Sequence, residues 1–189
     1  GLMVSSIAAF KQYQEEDAWL WEHQALTRAR FVAGDVEVGT QFEQIRREII
    51  CQPRDLAKLR KEIVGMRQKM LDAHPNKSDL FDLKHDRGGI IDVEFMVQYL
   101  VLAHAHDHPE MADNVGNLAL LKRAGAAGLI PEELAQQVHQ AYRSYRRRQH
   151  NLRMGGAEYA RIAPEEVAEH TAAALDLWHR LLGQTSVPH

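Results

Sequence analysis

Apolar residues recur at helical spacing along most of this 189-residue chain. Glycine and proline are sparse and separate the periodic stretches, and few runs alternate apolar and polar residues with the period of two typical of strands. The pattern therefore predicts an all-α fold, an elongated helical bundle of about six to seven helices with long first helices and little or no sheet. Two short segments are exceptions: GLMVSS at 1–6 is compatible with the end of a strand, and FDLK at 81–84 with a short one.

Helix boundaries follow from capping residues and from the limits of each periodic stretch. Ser6 is a good N-cap for a long first helix, and Gly34 suits the position just after its end near Ala33. The most apolar helix begins after Gly88-Gly89, and a helix that is apolar nearly all round is typical of the centre of a bundle. The predicted helices span residues 6–33, about 35–52, 56–70, 90–103, about 114–124, from 131 to at least 145, and from 164 to just before Gly183. The helix that begins at Pro131 is expected to turn one apolar seam inward: Leu134, Val138, Ala141 and Tyr145.

Composition and charge exclude several classes of protein. Lysine and arginine number 23 and aspartate and glutamate 26, for a net charge of −3. A chain this close to neutral is not built as a whole to bind nucleic acid or an anionic membrane, so any basic site must be local. Cys51 is the single cysteine, which excludes an internal disulfide and suits a reducing cytoplasm. The longest apolar stretch, 95–103, is too short to span a bilayer.

The segment FDLKHDRGGIIDVEF, residues 81–95, is the strongest candidate for chemistry, and we call it the 81–95 motif. Gly88 and Gly89 allow positive φ and the close approach of another chain or a ligand. The helix start behind them is expected to present free N–H groups to an anion such as a phosphate, and Lys84 could add a full positive charge. Neither the GxGxxG fingerprint nor a Walker loop is present.

The carboxylates of the 81–95 motif leave two alternatives open. Asp86, Asp92 and Glu94 could bind Mg²⁺, or they could hold Lys84 and Arg87 in place. A purely structural interpretation also stands, in which the glycine pair is an ordinary turn and the acids favour a helix start.

The second candidate is the basic run RSYRRRQHNLR at 143–153. On a helix Arg143 and Arg147 share a face, as do Arg146 and Arg153, which predicts positive charge spread around the helix. A solvated helix end is the favoured interpretation, and contact with phosphate or nucleic acid is the alternative. The residues expected on a partner surface are Trp19, Trp21, Arg143 and Arg147.

Two long stretches carry a resemblance to a known family. AWLWEHQALTRARFVAGD at 18–35 and FDLKHDRGGIIDVEFMVQYLVL at 81–102 resemble bacterial glutamine synthetase adenylyltransferases, and DNVGNLALL at 113–121 fits as well. These bifunctional enzymes add AMP to a tyrosine of glutamine synthetase and remove it, and so regulate nitrogen metabolism. The family has two halves, each with a nucleotidyltransferase domain followed by an all-α domain. This chain resembles the α domain of the C-terminal, adenylylating half.

The resemblance implies a division of the chain and of the chemistry. Residues 1–6 are expected to be a remnant of the preceding nucleotidyltransferase domain, 7–183 the helical domain, and 184–189 a flexible tail. In the family, ATP and Mg²⁺ are used, with the metal held by an Asp-x-Asp pair and a third aspartate on the preceding sheet. No catalytic residue and no metal ligand is therefore assigned to this chain, which is expected to be inactive alone and to bind neither group tightly.

The resemblance also implies the role and partners of the domain. It would line the nucleotide cleft, dock the protein substrate, or do both. The alternative is a regulatory module that receives a PII-type nitrogen-signalling protein or glutamine without contacting nucleotide. Expected partners are glutamine synthetase, a PII-type protein and the preceding domain, in the cytoplasm, with no nucleic acid and no membrane. The residues that the resemblance places toward the cleft are Lys84, Asp86, Gly88, Gly89, Asp92 and Glu94.

Overall fold

The computed structural model describes residues 2–16, 20–30 and 34–183. Within these ranges eight α-helices account for most residues, which confirms the predicted all-α class. The helices are α1 Leu2–Glu16, α2 Leu20–Leu26, α3 Val36–Ile50, α4 Leu56–Ala73, α5 Ile90–His104, α6 Asn117–Ala126, α7 Glu132–Met154 and α8 Ala168–Leu182. Short 3₁₀ helices lie at Pro109–Ala112 and Pro164–Val167. None of the described helices is long and apolar enough to cross a membrane.

The described sheet is one antiparallel pair of two-residue strands. These are β1 Phe81–Asp82, within the short strand expected at 81–84, and β2 Arg161–Ile162. Phe81 lies opposite Ile162, and Asp82 lies opposite Arg161. The Leu83 N–H donates to the Ala160 carbonyl at 2.8 Å and extends the pairing by one hydrogen bond.

The beginning of the chain differs from its prediction. GLMVSS is not the end of a strand, because α1 already begins at Leu2. A single helix over 6–33 is also wrong, because α2 ends at Leu26. Arg46 of α3 donates to the carbonyls of Leu26 and Thr27, at 3.0 and 2.6 Å, and so stabilises the helix end. The predicted flexible tail at 184–189 lies outside the described residues.

The chain divides into two compact units, and the first comprises residues 1–59 and 98–116. In it α1 and α2 pack against α3, where the rings of Phe10 and Phe42 lie 5.6 Å apart. Asp35 caps α3 by accepting from the Glu37 N–H at 2.7 Å, and the helix begins close to its predicted start near residue 35. Arg46 is fully buried in this unit and also donates to the Ala112 carbonyl, so one side chain joins three segments.

The second unit comprises residues 60–97 and 117–189, and in it α7 packs against both α6 and α8. The predicted inward seam of α7 is confirmed, since each of its residues is buried: Leu134, Val138, Ala141 and Tyr145. Trp178 of α8 is 1% exposed. Burial of a large apolar side chain stabilises the fold by roughly 1.5–3 kcal/mol. The part of α5 in this unit, Ile90–Val97, is buried at every position but Glu94, as predicted for a central helix.

Candidate functional site

The loop between β1 and α5 is built by two aspartates that accept backbone hydrogen bonds. Asp82 is buried, and its Oδ1 accepts from the N–H groups of Lys84 and His85 at 3.0 and 2.9 Å. Asp86 turns its Oδ2 back to the Asp82 N–H at 2.9 Å and also accepts from the Asn76 amide at 2.8 Å. Local bonds of this kind hold a turn in one conformation. The Asp86 carboxylate is therefore engaged in building the loop.

A buried ion pair secures the end of the same loop. Arg67 of α4 and Asp92 of α5 are each 1% exposed, and Arg67 Nε lies 2.5 Å from Asp92 Oδ1. Arg67 Nη2 also donates to the His85 carbonyl at 2.6 Å, and Asp92 Oδ2 accepts from the Gly88 N–H at 2.7 Å. These contacts satisfy most polar atoms of the pair, as a buried ion pair requires, although Arg67 Nη1 is buried without a hydrogen bond to the described residues. Asp92 thus pairs directly with Arg67, a residue that sequence proximity did not suggest, and it also attracts the positive charge of Arg87.

The two glycines serve packing within the chain. Gly88 has φ +82°, and a Cβ there would lie 3.2 Å from Leu175 Cγ and 3.3 Å from the Thr171 carbonyl of α8. A Cβ on Gly89 would lie 2.6 Å from the Leu83 carbonyl oxygen, closer than side-chain carbons approach such an oxygen. The close approach that the glycine pair predicted is therefore made at Gly88 by α8, a segment of the same chain.

The N–H groups at the start of α5 already have acceptors. Gly89 donates to the Asp86 carbonyl at 3.0 Å, Ile90 to the Leu83 carbonyl at 2.8 Å, and Ile91 to the Lys84 carbonyl at 3.2 Å. The expectation of free N–H groups for an anion is therefore wrong at these three positions. Attraction of an anion to this turn would have to come from side-chain charge.

Lys84 is the exposed cation of the loop, and its ammonium group makes no hydrogen bond or ion pair with any residue that the structure describes. Beside it the rings of His85 and His74 stack with centroids 4.2 Å apart. Burial, reinforced by the neighbouring His74, lowers the pKa of His85 below its usual value. Arg87 donates to Gln68 Oε1 at 2.8 Å, and Glu94 lies half-buried on α5.

The residues expected on a partner surface have different outcomes. Arg143 and Arg147 are both exposed on α7. The charge that was predicted around this helix is unevenly distributed, since Arg148 points away from the other four arginines of the run. The exposed arginines at 143, 146, 147 and 153 occupy one side, about a third of the circumference at 3.6 residues per turn. Trp19 lies outside the described residues, and Trp21 lies within α2.

Sequence reasoning missed Arg67 and Asn76, and it included Asp82 in the 81–95 motif without a role, although all three build the loop. A signal for Arg67 was present, since it follows Ile63 by four residues and so shares the buried face of α4. A charged residue at an inward position indicates a buried partner. Asn76 and Asp82 carried no comparable signal, because their roles depend on the conformation of the loop itself.

The 81–95 motif does not fit a bound Mg²⁺. No group of three or more potential ligands among histidine, cysteine, aspartate and glutamate occurs in the described parts of the chain. Asp92 faces a guanidinium and is not available as an open ligand, and Asp86 uses its Oδ2 for two hydrogen bonds within the loop. Burial also raises the pKa of the Cys51 thiol, which disfavours the nucleophilic thiolate.

Two family models cover most of this helical chain, and the descriptions of both name an enzyme that transfers a nucleotide, which gives the class of protein to which the chain is similar. The model described as GlnD PII-uridylyltransferase matches residues 58–178, more than half of the chain. The model described as glutamate-ammonia ligase adenylyltransferase matches residues 1–45. The first match contains the Arg67–Asp92 pair, the 81–95 motif and the arginines of α7.

Individual relatives identify the family more closely. The chain is 53% identical over 97% of its length to the bifunctional glutamine synthetase adenylyltransferase/adenylyl-removing enzyme of Nitrosomonas europaea. The enzyme of the same description is 54% identical over 96% of the chain in Bordetella bronchiseptica and 52% over 97% in Chromobacterium violaceum. The chain belongs to the family of the bifunctional glutamine synthetase adenylyltransferase/adenylyl-removing enzymes, as its motifs predicted. It spans 19–21% of the length of these three relatives.

Proposed function

We propose that this chain is the helical domain of an enzyme that transfers AMP from ATP to a tyrosine of glutamine synthetase, and that it follows the nucleotidyltransferase domain of the adenylylating half. The names of its relatives support the reaction. The catalytic aspartates and the Mg²⁺ that they hold would belong to the preceding domain, since Asp86 and Asp92 of this chain help to build its loop. The domain alone would then transfer no AMP.

We further propose that the surface of the 81–89 loop lines the nucleotide cleft in the intact enzyme. The observation that carries this proposal is the exposed Lys84 on a loop whose other parts are fixed by buried contacts. A cation on a preorganised loop stabilises the charge that develops on a phosphate without reorganisation during the reaction. The Gly88, Gly89, Asp86 and Asp92 positions would act by holding the loop, and only Lys84 would reach the triphosphate.

The test compares two lysine variants of the full-length enzyme. Lys84→Ala should lower kcat/KM for ATP by about tenfold or more, because one charge at a developing phosphate charge is removed. Lys84→Arg should retain most of the activity. Lys77→Ala, an exposed lysine in the preceding loop, is the matched control and should behave as wild type. ATP kinetics of Lys84→Ala equal to those of the control would reject the cleft assignment.

A second candidate function is a regulatory module that binds a PII-type signalling protein or glutamine without contacting nucleotide. It is favoured by the internal bonding of Asp86, Asp92 and the first turn of α5, which makes the 81–95 motif a packing turn. One matching family model also bears the name of a PII-uridylyltransferase. This candidate predicts unchanged ATP kinetics in Lys84→Ala. It further predicts that ATP with Mg²⁺ leaves the melting temperature of the domain unchanged, whereas a PII-type protein or glutamine raises it.

A further inference from the structure

One side of α7 concentrates positive charge that the fold does not use. We call this surface the arginine stripe, and its exposed residues are Arg143, Arg146, Arg147, His150 and Arg153. The sequence from 134 to 157 contains no aspartate or glutamate, so α7 supplies no acidic neighbour to these guanidinium groups.

Contacts within the described residues leave the stripe uncompensated. Arg143, Arg147 and Arg153 form no ion pair or hydrogen bond with their side chains in this part of the chain. Arg146 donates only to Gln149, at 3.3 Å. By contrast Arg148, which points away from the stripe, lies 3.6 Å from Glu166.

Stability of the helix does not account for the stripe. Cations favour only the last turn of a helix, where Arg153 lies. Arg143, Arg146 and Arg147 lie further back, and like charges three or four residues apart on a helix repel each other. These like charges therefore destabilise the helix in the absence of a ligand, and an oppositely charged ligand would be attracted to them.

The side chains favour an acidic protein surface as that ligand. All the cationic side chains after Lys122, apart from histidines, are arginines, whose planar fork pairs with carboxylates or phosphates through two parallel hydrogen bonds. Tyr142 and Tyr145 are buried, so neither can stack on the bases of a nucleic acid. Met154, at the end of the helix, is 76% exposed and offers the apolar contact typical of protein interfaces.

We propose that the arginine stripe docks an acidic surface of glutamine synthetase. The proposal rests on the proposed function, since it takes glutamine synthetase to be the protein substrate. Docking through exposed charges acts on the encounter with the substrate and on its orientation, and it weakens as salt screens the charges. It therefore affects the concentration of glutamine synthetase required, and leaves the reaction with ATP unaltered.

The test uses the full-length enzyme with a double charge reversal, Arg143→Glu with Arg147→Glu. We expect KM for glutamine synthetase to rise by about tenfold or more at low salt, with kcat and KM for ATP unchanged. The matched control is Lys61→Glu with Lys69→Glu, which makes the same change in charge at two exposed positions of α4. Circular dichroism of each variant checks that the fold is retained. A variant KM equal to that of wild type, or an equal rise in the control, overturns the proposal.

Two further measurements separate the alternatives. Arg143→Lys with Arg147→Lys keeps the charge and should restore most of the affinity for glutamine synthetase. Binding of a single-stranded oligonucleotide at low salt is also measured for the wild-type enzyme and the charge-reversal variant. If the charge reversal abolishes this binding and leaves the glutamine synthetase kinetics unchanged, the stripe is assigned to nucleic acid and the proposal is overturned. The wild-type rate of AMP transfer tests the proposed function by itself, because it does not depend on any stripe variant.

Discussion

Replacing Arg67 by methionine should destabilise the second unit strongly, because it leaves a buried carboxylate without its cation. Arg67 and Asp92 are each 1% exposed and lie 2.5 Å apart between Nε and Oδ1. After the substitution Asp92 would keep the Gly88 N–H as a donor, and the His85 carbonyl would lose its guanidinium donor. Methionine preserves the length and much of the apolar contact of the arginine stem, so the change isolates the polar contribution.

The magnitude follows from the burial of both partners. Removing one member of a buried ion pair costs about 3–5 kcal/mol, because the charge that remains is uncompensated in a medium of low dielectric constant. With a urea m-value of about 2 kcal/mol per molar, this loss lowers the unfolding midpoint by about 2 M. An exposed lysine of the same helix provides the control, since Lys69→Met removes a charge that water already solvates and should cost less than about 0.5 kcal/mol.

Urea unfolding of the chain at pH 7, followed by circular dichroism at 222 nm, measures these losses. The double variant Arg67→Met with Asp92→Leu removes both charges, so it should lose less free energy than the two single changes added together. The reasoning is refuted if Arg67→Met costs no more than Lys69→Met. It is also refuted if the single effects are simply additive, because the two side chains would then not act as a pair.

Four other outcomes are expected. Gly89→Ala should destabilise the chain severely, because its Cβ would lie 2.6 Å from a carbonyl oxygen; Gly65→Ala, with no atom within 4 Å inside α4, should stabilise it by about 0.5–1 kcal/mol in the same urea assay. Arg46→Met should cost about 3 kcal/mol, since three buried carbonyls lose a donor, and an effect below about 1 kcal/mol would contradict this. Acidification should also destabilise the fold. Burial lowers the pKa of His23 and His85, so the unfolded chain takes up protons first as pH falls through about 6.5. The urea midpoint should therefore drop between pH 7.5 and 5.5. A midpoint that rises over this range would contradict the expected direction of the pH effect.

The helices that sequence predicted well are those whose pattern is local. The seam of α7 repeats within one helix, and Pro131 marks its start from the adjacent position. The end of α2 could not be predicted in this way, because it depends on Arg46, which lies 20 residues from Leu26 in the chain. Periodicity continues smoothly through this point and contains no information about a donor from another helix.

The 81–95 motif shows the same limit, because sequence can locate its residues but not the partners that they contact. The 81–95 motif was found from its composition, but sequence proximity suggested Lys84 and Arg87 as partners of its acids. The partner of Asp92 is Arg67, 25 residues earlier, and only the packing of α4 beside α5 brings them together. A charged residue in the apolar register of α4 indicated that such a partner existed, although it could not indicate which carboxylate it was.

The pairing of β1 with β2 has a consequence for the order in which the protein is made. Asp82 receives Arg161 at 3.3 Å, and Leu83 donates to the Ala160 carbonyl, so the loop depends on residues translated almost eighty positions later. Gly88 is then covered by α8, which is later still. On the ribosome the 81–89 loop therefore stays without its β2 and α8 neighbours until nearly the whole described chain has emerged, although α4 before it can already be helical.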